Sequence, residues 1–309
     1  MKLFFWLKLQ DSSQRRLLLF PLVVLIVWCL AVYIIGRIAL SHNGDEKSKA
    51  SKDLGRKKVR VFCMLNHKAG DEARARAVLE TWLKRCDGYA FVSTRERTGS
   101  PTIVVPRNES RLILWVKVQA MLRRANTLRN EYDWFLKTDD DTYVIVENLR
   151  LFLSNHSATE AVYFGNEFSH DIPGGFLSGG AGYVLSKTAV QLIVEKGFDT
   201  GLCDLADHEV EEHRLAQCAG KVGVRQDGDT IDHLGRGRFF PYGPEKHFTP
   251  GNEDLGGWSK HRLGHHFNCC SDTAISFHYI TPIYMYILDY FIYILQPSKD
   301  WTNAEKTDV

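Results

Sequence analysis

Apolar positions divide the chain into three regimes. From Leu17 to Ile35 they form an almost unbroken run, preceded by Lys2, Lys8, Arg15 and Arg16. That length matches the roughly 20 residues that span a bilayer. A cleaved signal core is shorter, about 7–15 residues, and ends at small side chains. Here Trp28 and Tyr33 carry the run almost to Gly36. From Ser41 to Lys58 the apolar periodicity vanishes among Lys, Ser, Asp and Gly, a linker composition. From Val59 onward short apolar runs alternate with helical patterns. The expected organisation is a cytoplasmic tail at 1–16, a transmembrane signal anchor at 17–40 with its basic side inside, a stem at 41–58 and a lumenal domain at 59–309.

Within the third regime the elements read in order. Val59–Leu65 is a strand candidate, and Asp71–Lys84 a helix with Ala73, Ala77, Val78 and Trp82 at helical spacing. Tyr89–Val92 and Thr102–Val105 are short strands. Leu112–Leu128 is a long amphipathic helix with Leu112, Trp115, Val116, Ala120 and Met121 on one face. A strand at Trp134–Leu136, a helix at Val146–Leu153 and a strand at Ala161–Gly165 follow. Glycine clusters at Gly174-Gly175 and Ser178–Tyr183 read as turns or close backbone approaches. Lys187–Lys196 reads as a helix, and the acidic stretch Asp204–Glu212 as a solvated helix face anchored by Leu215 and Cys218. Arg236–Pro250 reads as an ordered loop, Ala274–Tyr279 as a strand, and Pro282–Leu295 as an apolar helix packed on the domain, interrupted by Asp289. Alternating strands and helices predict an α/β fold, a mostly parallel sheet with helices on both faces.

The chemistry concentrates at Asp133–Val144, where the apolar Trp134–Leu136 runs into Asp139, Asp140 and Asp141. Adjacent carboxylates oppose one another's ionisation. A hard divalent cation relieves the conflict with positive charge and a preference for oxygen ligands. The acids follow a strand at its carboxyl end, the edge where open α/β sheets bind ligands. No Gly-x-Gly-x-x-Gly and no phosphate-loop lysine is present, so nucleotide folds of those types are unsupported.

Charge and cysteines change the picture less. The formal net charge of +2 gives no footing for a nucleic-acid partner. Beyond Cys29 in the apolar run, Cys63, Cys86, Cys203, Cys218, Cys269 and Cys270 form an even set, as a disulfide framework in an oxidising compartment requires. A zinc site has no Cys-x-x-Cys to support it. Spacing alone does not select the pairing. The first strand and the end of the first helix lie close in a βαβ unit, which favours Cys63–Cys86, and Cys203–Cys218 would close the acidic segment. Cys269 and Cys270 then join each other or another chain, which leaves a homodimer open. Asn108-Glu-Ser110 and Asn155-His-Ser157 are sequons.

Four blocks carry a family resemblance: Glu109-Ser-Arg111 with Trp115 and Lys117; Asp133–Val144 with Glu147–Arg150; Tyr163-Phe-Gly165 with Ser178–Lys187; and Cys269–Tyr279. From about Val59 to Pro297 the chain resembles the core 1 β1,3-galactosyltransferases, within the fringe-like inverting β1,3-glycosyltransferases. The resemblance implies a single GT-A domain, a Rossmann-like sheet, in a type II membrane enzyme of the Golgi. Its expected activity is transfer of galactose from UDP-galactose to the 3-hydroxyl of GalNAc on Ser or Thr, with Mn²⁺. It implies Asp139, Asp141 and His278 as metal ligands. Leu65, Glu109, Ser110, Arg111, Lys117, Asp139, Asp140, Gly179 and Gly180 are implied at the sugar nucleotide. Where the family has Glu-Asp before a cysteine, this chain has Glu211-Glu212, one methylene longer at the second position. Counting back from Cys218 points to Glu212 as the base and counting forward from Cys203 points to Glu211, with Glu212 favoured. The usually aromatic-rich segment before the paired cysteines retains only Trp258 and Phe267, so Trp258 is the acceptor candidate there, and Tyr279, beyond those cysteines, is the second. A fringe-like transferase with another sugar pair and a non-catalytic lumenal chaperone are the alternatives, and the intact triplet argues against the chaperone.

Overall fold

A computed structural model of the protein describes residues 59–249, 259–261, 264 and 266–297. The expected tail, anchor and stem, and Trp258, lie outside these residues. Residues 59–309 form a compact unit distinct from 1–58. Among the described residues no helix is long and apolar enough to cross a membrane.

The elements follow in chain order. Strand β1 (Val61–Asn66) leads into α1 (Glu72–Glu80), then β2 (Gly88–Ser93), β3 (Thr102–Val104) and α2 (Leu114–Thr127). Next come β4 (Trp134–Asp139), β5 (Tyr143–Val144), α3 (Val146–Leu153), β6 (Val162–Gly165), β7 (Glu167–Phe168) and β8 (Phe176–Leu177). The remainder is β9 (Tyr183–Ser186), α4 (Lys187–Gln191), α5 (Glu211–Lys221), β10 (Arg225–Asp227), β11 (Phe239–Phe240), α6 (Pro244–Phe248), β12 (Ser276–Phe277) and α7 (Pro282–Asp289).

Seven strands make the main sheet, in the order β10-β6-β9-β4-β1-β2-β3. The pairs β1–β2, β1–β4, β2–β3 and β6–β10 are parallel, but β9 runs antiparallel between β4 and β6. The sheet is therefore mixed. Burial on both faces explains the continuous apolar run of β1. Val61, Cys63 and Leu65 join Trp134 and Leu136 in one core, while Phe62 and Met64 join Phe135, Trp115 and Met121 in the other. Period-two alternation thus sends successive residues of one strand to opposite layers.

Several expectations need correction. The glycine block ends in strand β9, which escapes a reading of the block as turns. The segment 204–210 is irregular, and the helix begins only at Glu211, itself buried. Arg236–Pro250 contains β11 and the short α6. Ala73 on the first helix and Leu112, in the short 3-10 turn that precedes the second, face solvent, whereas the buried stripes run through Ala75, Ala77 and Val78 and through Trp115, Val118 and Met121. Of the Ala274–Tyr279 stretch only Ser276–Phe277 pairs as a strand.

A second sheet, β11-β12-β5, brings the end of the chain to the triplet. β12 lies antiparallel to β5 and parallel to β11. Beyond it Ile280 N–H donates to the Asp141 carbonyl at 2.8 Å. Thr281 then caps α7, its side chain accepting from Tyr284 N–H. The acid that interrupts this apolar helix is its anchor: Asp289 accepts from Arg85 Nη1 at 2.8 Å and from the Tyr143 hydroxyl at 3.1 Å.

Disulfides join Cys63–Cys86, Cys203–Cys218 and the adjacent Cys269–Cys270. The first ties β1 to the turn that precedes β2, and the second ties α5 to the segment before it.

Candidate active site

In register Asn66 of β1 pairs with Asp139 of β4, so both strands deliver polar residues to the same carboxyl edge. A cavity of about 600 Å³ opens there. Glu109, Ser110, Arg111, Lys117, the triplet, Gly180, Glu211, Glu212, His278 and Tyr279 all line it.

Three side chains converge on one point. His278 Nε2 lies 3.2 Å from Asp141 Oδ1 and 3.9 Å from Asp139 Oδ2. One ligand atom from each of Asp139, Asp141 and His278 lies within 4.8 Å of the others. Two carboxylates and an imidazole suit a divalent first-row cation. The imidazole is prepared for it: its Nδ1 faces the Pro241 carbonyl at 3.3 Å, and the hydrogen bond this allows leaves the Nε2 lone pair for an ion. Gly180 makes room, since a Cβ there would sit 2.2 Å from the His278 ring. The residues therefore fit a divalent metal.

Asp140, between the two ligands, points elsewhere. Its Oδ2 contacts buried His67 Nδ1 at 2.7 Å, and its Oδ1 accepts from Arg74 Nη1 at 3.3 Å. Lys117, fully buried, donates to the His67 carbonyl at 3.0 Å and to Glu109 Oε1 at 2.6 Å. It belongs to the wall of the cavity, not to an exposed helix face.

Facing the triplet is the start of α5. Glu211 accepts from the Tyr183 hydroxyl at 2.9 Å and lies 2.8 Å from Lys137 Nζ. Lys137 also donates to Asp139 Oδ1 and to the Gly179 carbonyl, both at 3.1 Å. Burial pushes the Glu211 carboxyl up to about 7, Lys137 opposing and Glu212 adding to the shift. Burial works against the Lys137 charge, but Asp139, Glu211 and Glu212 outweigh it and hold the ammonium well above its usual range. Burial likewise raises Asp139, yet Lys137 and His278 bring it below the ordinary carboxylate value. Glu212 is placed differently: it lines the cavity and its Oε1 accepts from Gly179 N–H at 3.1 Å. A Cβ on Gly179 would come within 2.4 Å of Glu211 and 2.6 Å of Glu212, so only glycine lets the backbone pass between them.

A fringe-like family model matches residues 66–210. Over 271 residues the chain is 37% identical to glycoprotein-N-acetylgalactosamine 3-beta-galactosyltransferase 1 of Xenopus laevis, which covers 85% of this chain and 74% of that one. The chain belongs to the core 1 β1,3-galactosyltransferase family. A beta-1,3-glucosyltransferase of Mus musculus is 24% identical over 168 residues, 53% of this chain and 34% of that one. Among solved structures, a glycosyltransferase involved in the glycosylation of the major capsid of PBCV-1 matches 44% of this chain and 63% of its own at 17% identity and a TM-score of 0.30, too slight to carry an argument.

For this core 1 family member most of the residues singled out from sequence meet in one cavity. Leu65 does not reach it. Its side chain is fully buried in the core, and the next residue, Asn66, occupies the rim. Gly179 contributes its backbone behind Glu212. Sequence reasoning missed Lys137, Asn66, His67, Arg74 and Tyr183. Lys137 carried a usable signal: two residues before Asp139 on a strand, it shares that residue's face.

Proposed function

We propose that this chain is a type II Golgi membrane enzyme whose single lumenal GT-A domain transfers galactose from UDP-galactose, with inversion, to the 3-hydroxyl of GalNAc on glycoprotein Ser or Thr. The carrying observation is one cavity in which Asp139, Asp141 and His278 face an acidic helix start, in a chain 37% identical to a glycoprotein-N-acetylgalactosamine 3-beta-galactosyltransferase. The intact metal set speaks against a non-catalytic chaperone.

Asp139, Asp141 and His278 would hold Mn²⁺, which would supply positive charge to balance that of the departing diphosphate. Arg111 and Lys117 lie on the nucleotide side, Lys117 as a buried cation fixed by Glu109. Inversion requires the acceptor oxygen to attack the anomeric carbon from the face opposite the diphosphate, and that oxygen must lose its proton. Glu212 takes the proton. Its carboxylate borders the cavity with Gly179 N–H orienting one oxygen, whereas both Glu211 oxygens are engaged, by Lys137 and by Tyr183. The alternative base, Glu211, is thereby the weaker candidate. Tyr279, half exposed beside His278 and stacked near Tyr242, lies on the acceptor side.

The test compares Glu212→Gln and Glu211→Gln. The amide cannot accept a proton, so Glu212→Gln should lose about 10²–10⁴-fold in turnover with little change in Mn²⁺–UDP affinity. If Glu211→Gln is dead while Glu212→Gln transfers normally, the base moves by one residue. Normal transfer by both would place the base elsewhere.

A further inference from the structure

Each oxygen of Asp139 has separate work. Oδ2 is turned toward His278 Nε2 at 3.9 Å. Oδ1 accepts from Asn66 Nδ2 at 3.1 Å and from Lys137 Nζ at 3.1 Å. The ammonium does not stop there. It reaches Glu211 Oε1 at 2.8 Å and the Gly179 carbonyl at 3.1 Å, with its side chain only 4% exposed. One buried cation thus touches the metal carboxylate, the first residue of the helix that carries Glu212, and the glycine whose N–H orients Glu212.

We infer that Lys137 is a positioning residue: with Asn66 it holds Oδ1 of Asp139 so that Oδ2 faces the metal, and through Glu211 it locks the first turn of α5 to the same strand. The inference rests on Asp139 as a metal ligand. Groups that orient ligating carboxylates typically contribute about 10–100-fold to metal affinity.

A simple electrostatic view predicts the opposite sign, because a cation beside a metal site repels the ion. The geometry decides between the two. Lys137 lies closer to Glu211 than to Asp139, so the lysine and Glu211 together add little net charge. Removing Lys137 alone would leave Glu211 buried without its cation and confound charge with position. At pH 8, above the value of about 7 to which burial raises the Glu211 carboxyl, removing both partners leaves the charge of the site nearly unchanged and isolates the positional contribution.

The experiment measures Mn²⁺ dissociation by electron paramagnetic resonance, on the full chain in nanodiscs, for the wild type, Lys137→Met and Lys137→Met/Glu211→Leu. Thermal unfolding is followed on the same preparations. The double variant should recover stability lost by the single one, yet bind Mn²⁺ about 10–100-fold more weakly than the wild type. Its kcat at saturating Mn²⁺ should also fall, because Glu212 has lost its restraint. Parental or tighter Mn²⁺ binding by the double variant overturns the inference, leaving Lys137 as a counter-ion for Glu211 alone. Weak Mn²⁺ binding with parental kcat would remove the link to α5. A wild-type chain that binds no Mn²⁺ defeats the metal reading itself, a failure distinct from either of these.

Discussion

Replacing Gly180 by alanine should cripple the candidate metal site while leaving the fold in place. The added Cβ would lie 2.2 Å from His278 Cε1, 2.3 Å from Nδ1 and 2.8 Å from Nε2. Ordinary contact begins near 3.4 Å, so the ring must retreat by about 1.2 Å. It has little freedom to do so. Tyr279 stacks on it with centroids 3.9 Å apart, and Nδ1 is engaged by the Pro241 carbonyl. Metal sites hold their ligand distances to within about 0.2 Å, so a displacement of this size would take His278 out of reach of an ion held by Asp139 and Asp141. Mn²⁺-dependent UDP affinity should then drop by roughly 100-fold or more, beyond the upper end of what losing a supporting contact costs. Overpacking should cost about 1–3 kcal/mol of stability. Calorimetry of UDP binding with and without Mn²⁺ reads the first effect and urea unfolding the second. Gly220→Ala is the control: it lies within α5 with nothing inside 4 Å of the new Cβ, and should be neutral or stabilising by about 0.5–1 kcal/mol. Parental Mn²⁺–UDP affinity in Gly180→Ala would refute the placement of His278 at the metal.

Two further predictions concern stability. His247 is 2% exposed against Phe240 and Phe277, and burial pushes its imidazole down to about 4. Between that value and the unfolded value near 6.5 the unfolded chain binds more protons, so this contribution is complete above 6.5 and fades as pH falls toward 4. About 2 kcal/mol should be lost by pH 5, and His247→Leu should flatten that part of a urea-midpoint profile; an unchanged slope would contradict the assignment. Replacing both Cys203 and Cys218 by alanine opens a link across 15 residues and should cost about 3 kcal/mol in denaturant unfolding, whereas an unmoved midpoint would show that α5 needs no tether.

The parts of the fold legible in the sequence are those whose pattern is local. β1 and β4 are short strands buried up to their last residue, and an apolar run ending in acids marks a strand edge without outside help. The triplet's mutual repulsion suggested a cation but fitted a self-solvating acidic turn equally well. Antiparallel β9 was not legible, because the glycines before it read as a turn and nothing local says that the chain re-enters the sheet between β4 and β6. Burial of a charge is the other blind spot. Glu211 sits in an acidic stretch that looks solvated, and it is buried because Lys137 and Tyr183, far away in sequence, supply its partners. Lys117 and Asp289 follow the same rule: long-range partners decide whether an ionic side chain faces water. His278 depended on the family resemblance, since only β12 pairing with β5 brings it to Asp141.

Product analysis of a single reaction reads the transfer chemistry itself. The full chain in detergent, with Mn²⁺, UDP-galactose and a peptide bearing α-GalNAc on threonine, is allowed to turn over and the product is examined by nuclear magnetic resonance. One new galactose is expected, β-linked to the 3-hydroxyl of GalNAc, formed only when the divalent ion is present and not from UDP-glucose or UDP-GlcNAc. An α linkage, attachment at another hydroxyl, preference for a different UDP-sugar, or full activity after metal chelation would contradict it.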